Sequence, residues 1–315
     1  MEIRACPLGA LSSHVRNLGF QKLIAYFLLL HRYPEQFKRL FRAIYAPGNV
    51  YLIHVDRSSG PVMAADIAAF LAPFEGVEIL PARRALWGGY SLVDAELRGM
   101  QRLLEMDLNW KYFINLSGQD FPLKSQSYIR AFLQVHPDTQ FIRFADQKRA
   151  RPDTMNRVDR IFIEAFQRIF RTGIARRFLP GATPYIGTQW KVVSRRFCEF
   201  VCHDPLADRF KRFYRRSFIA DEGFFQTVMM NGFPRGRVVN DDLRTIDWVP
   251  EGDIKLRPRT FTAKDAVRLT QSADFFARKF DSMEDSEILG LLEQHLKTPK
   301  ARAFVSVVER GPIAA

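Results

Sequence analysis

Cysteine is scarce in this chain. Cys6, Cys198 and Cys202 are the only ones among 315 residues. So small and odd a count excludes a disulfide framework and suits a reducing compartment. Long apolar runs are missing too. The longest, Leu23–Leu30 (LIAYFLLL), has eight residues, whereas a membrane-spanning helix needs about 20. No segment is low in complexity, and no solenoid-like or propeller-like period recurs. The opening residues lack the basic, apolar and small-residue order of a secretory signal. A cytoplasmic location is therefore expected, and the sequon Asn115-Leu116-Ser117 carries no meaning without export. Acid is in deficit: 47 Lys and Arg against 34 Asp and Glu give 47 − 34 = +13. That balance favours an anionic partner, whether nucleotide, nucleic acid, acidic glycan or anionic membrane surface. The arginines are scattered and not gathered in a tail, which argues against a nucleic-acid-binding arm.

What is present is an alternation of apolar strands and amphipathic stretches. Strand Leu23–Leu30 precedes a helix with Phe37, Leu40, Phe41 and Ile44 on one face. Strand Val50–Val55, a helix near 62–71 and strand Val77–Leu80 continue the β-α-β-α-β order of a parallel nucleotide-binding sheet. Ser91, with Asp94 three residues on, has the form of a capping box for the next helix. Strand Tyr112–Leu116 then runs into Ser117-Gly118-Gln119-Asp120-Phe121-Pro122, where either a turn or a ligand site at a strand's carboxyl end is possible. Ser127 is a candidate cap for a helix from Tyr128 to Gln134. The arginine-rich stretch 137–186 suggests irregular structure and short helices. Strand Trp190–Val193, a helix from Arg195 to Val201, a helix from Asp221 and a helix through Ile288, Leu291 and Leu292 follow. Cys198, Cys202 and His203 sit close together, but the cysteines are i and i+4 on an apolar helix, F-C-E-F-V-C, and suit a core. Zinc would need a fourth ligand.

Polar clusters stand at element ends: His54-Val55-Asp56-Arg57, Trp87-Gly88-Gly89, the loop to Asp120, Asp221-Glu222-Gly223 and Arg278-Lys279. Singly each has an ordinary explanation, such as a turn former, a first-turn acid or a solvated basic pair. Together they form an ordered set. I53-H-V-D-R57, L86-W-G-G-Y-S-L92, Y112-F-I-N-L-S-G-Q-D-F-P122, G187-T-Q-W-K-V-V-S-R-R196, D221-E-G-F-F-Q-T-V228, D241-D-L-R-T-I-D-W248 and F275-F-A-R-K-F-D281 resemble, in order, the motifs of the core-2/I-branching glycosyltransferase family. The last two motifs look closest to the peptide O-xylosyltransferases. S-G-Q-D-F-P is shared with the N-acetylglucosaminyl-transferring side.

The resemblance implies an α/β fold of the GT-A type, with a mixed, mainly parallel central sheet and flanking helices. It implies one glycosyltransferase domain over 21–298, with a nucleotide-binding half at about 21–135 and an acceptor half at about 136–298. Residues 1–20 form a lead and 299–315 a loose tail. It further implies inverting transfer from a UDP-sugar, xylose first and N-acetylglucosamine second, to the hydroxyl of a glycan, glycolipid or peptide, here in a bacterial cytoplasmic enzyme.

Such a transfer needs one general base, and Glu222 matches the family's base. The departing diphosphate needs positive charge. No two aspartates stand two positions apart, so the Asp-x-Asp metal motif of many GT-A enzymes is missing. Arg278 and Lys279 match the family's diphosphate pair, and no metal or other cofactor is expected. Asp56, Arg57 and Trp87 are candidates for the nucleoside end, with Gly88 and Gly89 allowing close backbone approach. Asp120 either lines the sugar pocket or anchors its loop. Gln189, Trp190, Asp221, Arg244 and Trp248 match positions near donor and acceptor. The rival expectations are a basic nucleic-acid-binding protein and a catalytically inactive carbohydrate-binding relative.

Overall fold

The structure is a computed structural model that describes residues 24–302 apart from 107, 235 and 252–254. The expected lead at 1–20, Cys6, Leu23 and the tail from 303 lie outside the described residues.

The first half alternates as expected: β1 (Ile24–Leu30), α1 (Pro34–Ile44), β2 (Val50–Val55), α2 (Gly60–Leu71), β3 (Val77–Ile79), α3 (Tyr90–Glu105), β4 (Tyr112–Ser117), β5 (Asp120–Pro122) and α4 (Gln126–Gln134). The middle holds β6 (Gln140–Ile142), β7 (Ala145–Asp146), α5 (Gln147–Ala150), α6 (Asn156–Asp159), β8 (Arg160–Ala165), β9 (Arg168–Ala175), β10 (Tyr185–Ile186) and β11 (Lys191–Ser194). Then come α7 (Arg195–His203), α8 (Pro205–Tyr214), α9 (Phe224–Gly232), β12 (Val238–Val239), β13 (Arg244–Ile246), β14 (Trp248–Glu251), β15 (Lys255–Pro258), α10 (Ala266–Gln271), β16 (Phe276–Arg278), α11 (Glu287–Leu296) and α12 (Pro299–Arg302).

The central sheet runs β12-β6-β11-β4-β1-β2-β3. It is mainly parallel; β11 alone runs against both neighbours, β4 and β6. Its middle strand explains the apolar run. In β1, Ile24, Tyr26, Leu28 and Leu30 enter one core, while Ala25, Phe27 and Leu29 enter the other. A strand covered on both faces has no solvent side, so it reads as unbroken hydrophobe. α1, α4 and α11 pack on the first face; α3, α7, α8 and α9 pack on the second. This is the helix-sheet-helix layering expected of the α/β class.

A second, three-stranded sheet, β13-β16-β5, joins the carboxyl end of β4. The abrupt end of the Tyr112–Ser117 strand is thus a crossing from one sheet to the next. Gly118 and Gln119 make the corner, and β5 pairs antiparallel with β16, Asp120 opposite Arg278.

Four local expectations are corrected. Ser91 does not cap α3; Gly89 holds the N-cap position, and the Ser91 hydroxyl accepts from the Leu86 N–H at 2.8 Å. Asp94 turns to Arg98 at 2.9 Å instead of back to the cap. Ser125, not Ser127, caps α4 by accepting from the Tyr128 N–H. In 137–186, besides short helices, a long hairpin forms between β8 and β9. Its strands, RIFIEA and RIFRTGIA, show no clean alternation, and the connecting Phe166-Gln167 lacks the Gly or Asn that two positive-φ residues call for. The chain past Pro299 begins as α12, with Ala301 fully buried and its carbonyl accepting from the Ser125 N–H.

Cys198 is fully buried and Cys202 partly so, and both thiols are free. Burial pushes both up, Cys202 to about 12. Asn115 is fully buried and hydrogen-bonded to Glu96 and the Gln189 carbonyl, so it has no room for a glycan.

Candidate active site

The carboxyl ends of the parallel strands carry the polar clusters, as open α/β sheets dictate. Asp120 is their hub. It has no exposed surface, and its Oδ1 lies 3.4 Å from Arg244 and its Oδ2 3.5 Å from Arg278. The Ser117 N–H also donates to Oδ2, and Arg278 donates to the Ser117 hydroxyl at 2.6 Å. Of the two roles open to Asp120, the structure shows the anchoring one. Both guanidinium groups lie against the Trp190 ring, 4.4 Å from its centroid for Arg244 and 4.5 Å for Arg278. Arg244 donates to the Asn115 carbonyl, and its buried Nε has no partner among the described residues.

Lys279 follows on the same segment. Among the described residues no carboxylate lies within 4 Å of its ammonium, which no ion pair therefore engages. Burial lowers its pKa first, and the charges of Arg32 and Arg278 lower it further. His31, just beyond β1, is pushed down by burial and then by Arg32, Arg278 and Lys279, with Asp56 opposing. Arg32 itself is held by Gln119 at 2.9 Å. Arg244 and Arg278 thus flank the buried Asp120, and Arg32 and Lys279 stand beside them with Asp281 as a second acid, so four cations face two carboxylates. Arg32 escaped sequence reasoning; its only signal is a basic residue just after a strand's carboxyl end.

Asp56 is engaged within the chain. Its oxygens accept from the Ser58 N–H and hydroxyl and, at 2.6 Å, from the Ala85 N–H. Burial would raise its pKa, but these hydrogen bonds outweigh it and hold the carboxyl below its ordinary value. Asp56 thereby ties the end of β2 to the loop that carries Trp87. Arg57 joins Arg83, Arg84 and Gln167 in lining a cleft on the outer side of that loop.

The Trp87 turn does not stand open. Gly88 has φ +77°, and a Cβ there would sit 2.7 Å from the Phe218 ring. A Cβ on Gly89 would meet the Glu164 carboxylate at 2.5 Å. On the side where a Cβ would stand, both glycines are met by protein side chains. Glu164 comes from β8 and accepts from the Ser91 N–H at 3.0 Å, placing its charge at the amino end of α3. Trp87 meets Phe218 edge-on and remains 63% exposed.

The Gly88 carbonyl accepts from the Ile219 N–H at 2.8 Å, which brings the turn at Ala220–Glu222 alongside. Arg157 donates to Glu222 Oε2 at 2.7 Å. No hydrogen bond reaches Oε1 from the described residues, and the side chain keeps about a quarter of its surface, 27%, in solvent. Arg157 lay in the arginine-rich stretch and carried no local signal. Asp221 points inward. It is buried, its Oδ1 has no partner among the described residues, and burial followed by the neighbouring Glu222 charge pushes it up to about 7.

Beneath this turn Lys191 and Glu96 form a fully buried ion pair at 2.5 Å. Asn115, Gln189 and the Phe225 ring complete its surroundings. Gln189 therefore joins the site as part of its floor. Trp248 lies on the β14–β15 hairpin opposite Pro258 and is 41% exposed; the chain after that hairpin reaches Lys279, whose carbonyl accepts from the Phe261 N–H at 2.8 Å. Among the described residues no three His, Cys, Asp or Glu side chains cluster as metal ligands would.

The geometry of the described residues joins Asp56, Trp87, Gly88, Gly89, Asp120, Gln189, Trp190, Asp221, Glu222, Arg244, Arg278 and Lys279 through short chains of contact at one end of the sheet. The pattern of the family described as Core-2/I-Branching enzyme matches residues 24–272. Xylosyltransferase 1 of Canis lupus familiaris is 33% identical over 291 residues, covering 87% of this chain and 30% of that protein. Xylosyltransferase 2 of Mus musculus is 32% identical over 305 residues, covering 89% of this chain and 35% of that protein. The chain thus spans about a third of the length of these relatives. A match running through every strand of the central sheet places the chain in the core-2/I-branching enzyme family.

Proposed function

We propose that this chain is an inverting, metal-independent glycosyltransferase that moves a sugar from a UDP-sugar to an acceptor hydroxyl. Xylose is the first choice of sugar and N-acetylglucosamine the second. The observation that carries the proposal is the surplus of positive charge around Asp120. Like charges held together, partly out of water, are costly. A diphosphate placed there would relieve that cost, and the same cations would stabilise the charge it gains as its bond to the sugar breaks.

In this mechanism the acceptor oxygen attacks the anomeric carbon as the bond from that carbon to the diphosphate oxygen breaks. UDP leaves with the electron pair, and Glu222 takes the hydroxyl proton. Arg157 holds one carboxylate oxygen and leaves the other for the proton. Arginine suits diphosphate through its two-pronged fork, and lysine as a point charge.

The test is calorimetry with UDP and other nucleoside diphosphates, joined to a transfer assay. UDP is expected to bind in preference, and EDTA to change nothing. Lys279→Ala weakens both UDP binding and turnover, because its charge acts in ground and transition states alike. Glu222→Gln lowers turnover by about 10²–10⁴-fold with little change in UDP affinity. Loss of activity in EDTA with recovery in manganese would overturn the metal-free mechanism. Equal binding of all nucleoside diphosphates would overturn the UDP assignment.

A further inference from the structure

The β8–β9 hairpin has two unlike faces. Its inner face is spent on the protein. Phe162 stacks on Phe218 with ring centroids 5.1 Å apart, Glu164 reaches the amino end of α3, and Ile169 packs toward Gly88. Its outer face has no such cover. Ile163 and Phe170 are directly paired across the strands and are 48% and 44% exposed. Phe166, at the tip, is 92% exposed, and Ile174 is 58% exposed. Four of the eleven large apolar side chains exposed among the described residues lie on this one hairpin. Scattered surface hydrophobes need no explanation, but a contiguous set does.

Charge accompanies the apolar tip. From Arg160 to Arg177 the sequence has five arginines and one acid, 5 − 1 = +4. The single acid, Glu164, is turned to α3, and Arg176 folds inward onto the Val158 and Phe213 carbonyls. Arg168, Arg171 and Arg177 remain exposed, Arg168 on the same side as Phe170 and Arg171, opposite Phe162 in the register, on the other side. The shape matters as well. A protein partner's anchors are seated in pockets, whereas this is a ridge ending in a two-residue turn. An apolar tip circled by cations is complementary to one kind of partner, a bilayer interface rich in acidic headgroups.

We propose that the β8–β9 hairpin is a docking element for anionic lipid surfaces, with Phe166 and Phe170 entering the interface and Arg168 and Arg171 meeting headgroup phosphates. The loose membrane contact expected from the overall charge thereby acquires a definite place on the molecule. The proposal needs no sugar donor, so it stands or falls separately from the transferase proposal.

The test is flotation of the full chain with vesicles of phosphatidylglycerol and phosphatidylcholine, against phosphatidylcholine alone. The chain is expected to float with the anionic vesicles, less so at high salt, and to stay behind with the neutral ones. Phe166→Ser with Phe170→Ser lowers the partition coefficient at least ~10-fold, since each ring loses an apolar burial. Arg168→Glu with Arg171→Glu abolishes the preference for anionic vesicles. All four side chains are exposed, so thermal melting of both variants should match the parent and serve as the folding control. Failure of the parent to float, equal flotation with neutral vesicles, or parent-like flotation of the Phe166 and Phe170 double variant overturns the proposal.

Discussion

At the scale of single residues, Asp221 and Glu222 are adjacent in sequence and opposite in circumstance. Glu222 reaches solvent and is steered by Arg157; Asp221 faces a closed interior shared with Glu96 on α3 and Lys191 on β11. Burial, then the charge of Glu222, pushes Asp221 up to about 7, with Glu96 adding to the rise and Lys191 opposing it. The folded protein therefore binds a proton that the unfolded chain has already lost above its ordinary carboxylate pKa. Stability accordingly falls as pH rises from about 4 towards 7, and is level above that. Asp221→Asn removes the ionisation. It is expected to leave the melting temperature nearly unchanged below about pH 4, where both states hold the proton, to raise it somewhat at pH 5 and to raise it most at pH 8. Calorimetric melts of both proteins across this range check it. A parallel pH dependence in the variant would show that Asp221 is not the group responsible.

At the scale of elements, the turn before α3 depends on a glycine for two separate reasons. Gly88 and Gly173 have nearly the same backbone angle, φ +77° and +78°. A side chain on either would suffer the same left-handed strain, about 1–2 kcal/mol. Their surroundings differ. Nothing lies within 4 Å of a Cβ at Gly173, whereas at Gly88 the Phe218 ring would be struck at 2.7 Å. Gly173→Ala should therefore lose only the strain, and Gly88→Ala a further ~1–3 kcal/mol for displacing a packed ring. Urea unfolding of the two variants gives the comparison. Equal losses would mean that Phe218 moves aside freely and that the Trp87 turn is not braced by it.

At the scale of the whole molecule, Asp120 joins two sheets. Its carboxylate is the counter-charge for Arg244 at the start of β13 and for Arg278 at the end of β16, while the Ser117 amide ties it to β4. Removing one partner from a buried ion pair leaves an uncompensated charge, typically at a cost of ~3–5 kcal/mol. Asp120→Asn keeps the shape and removes the charge. It is expected to lower the urea midpoint markedly with no change in slope, and to weaken UDP binding by releasing Arg278 from its position. Retention of parent stability would mean that the cations can be neutralised by water or solvent ions, and that the two sheets are held by the β5–β16 pairing alone.

The sequence by itself determined the central sheet and its helices. Strand and helix periods are local, and β1, β2, β4, α1 and α3 each carry an apolar pattern that only one environment satisfies. The ordered motifs also determined the family, together with the candidates Glu222, Arg278 and Lys279. Only the tertiary structure decided what those residues touch. Arg157 meets Glu222 across 65 positions and Arg244 meets Asp120 across 124, and no local pattern encodes such distances. The structure also packed Phe218 and Glu164 against Gly88 and Gly89, moved two helix caps, and found a hairpin where the connecting turn lacked its usual residues. The physical reason is the same in each case. Local chemistry sets which element forms, whereas long-range packing settles which buried charge, ring or amide each free group will find.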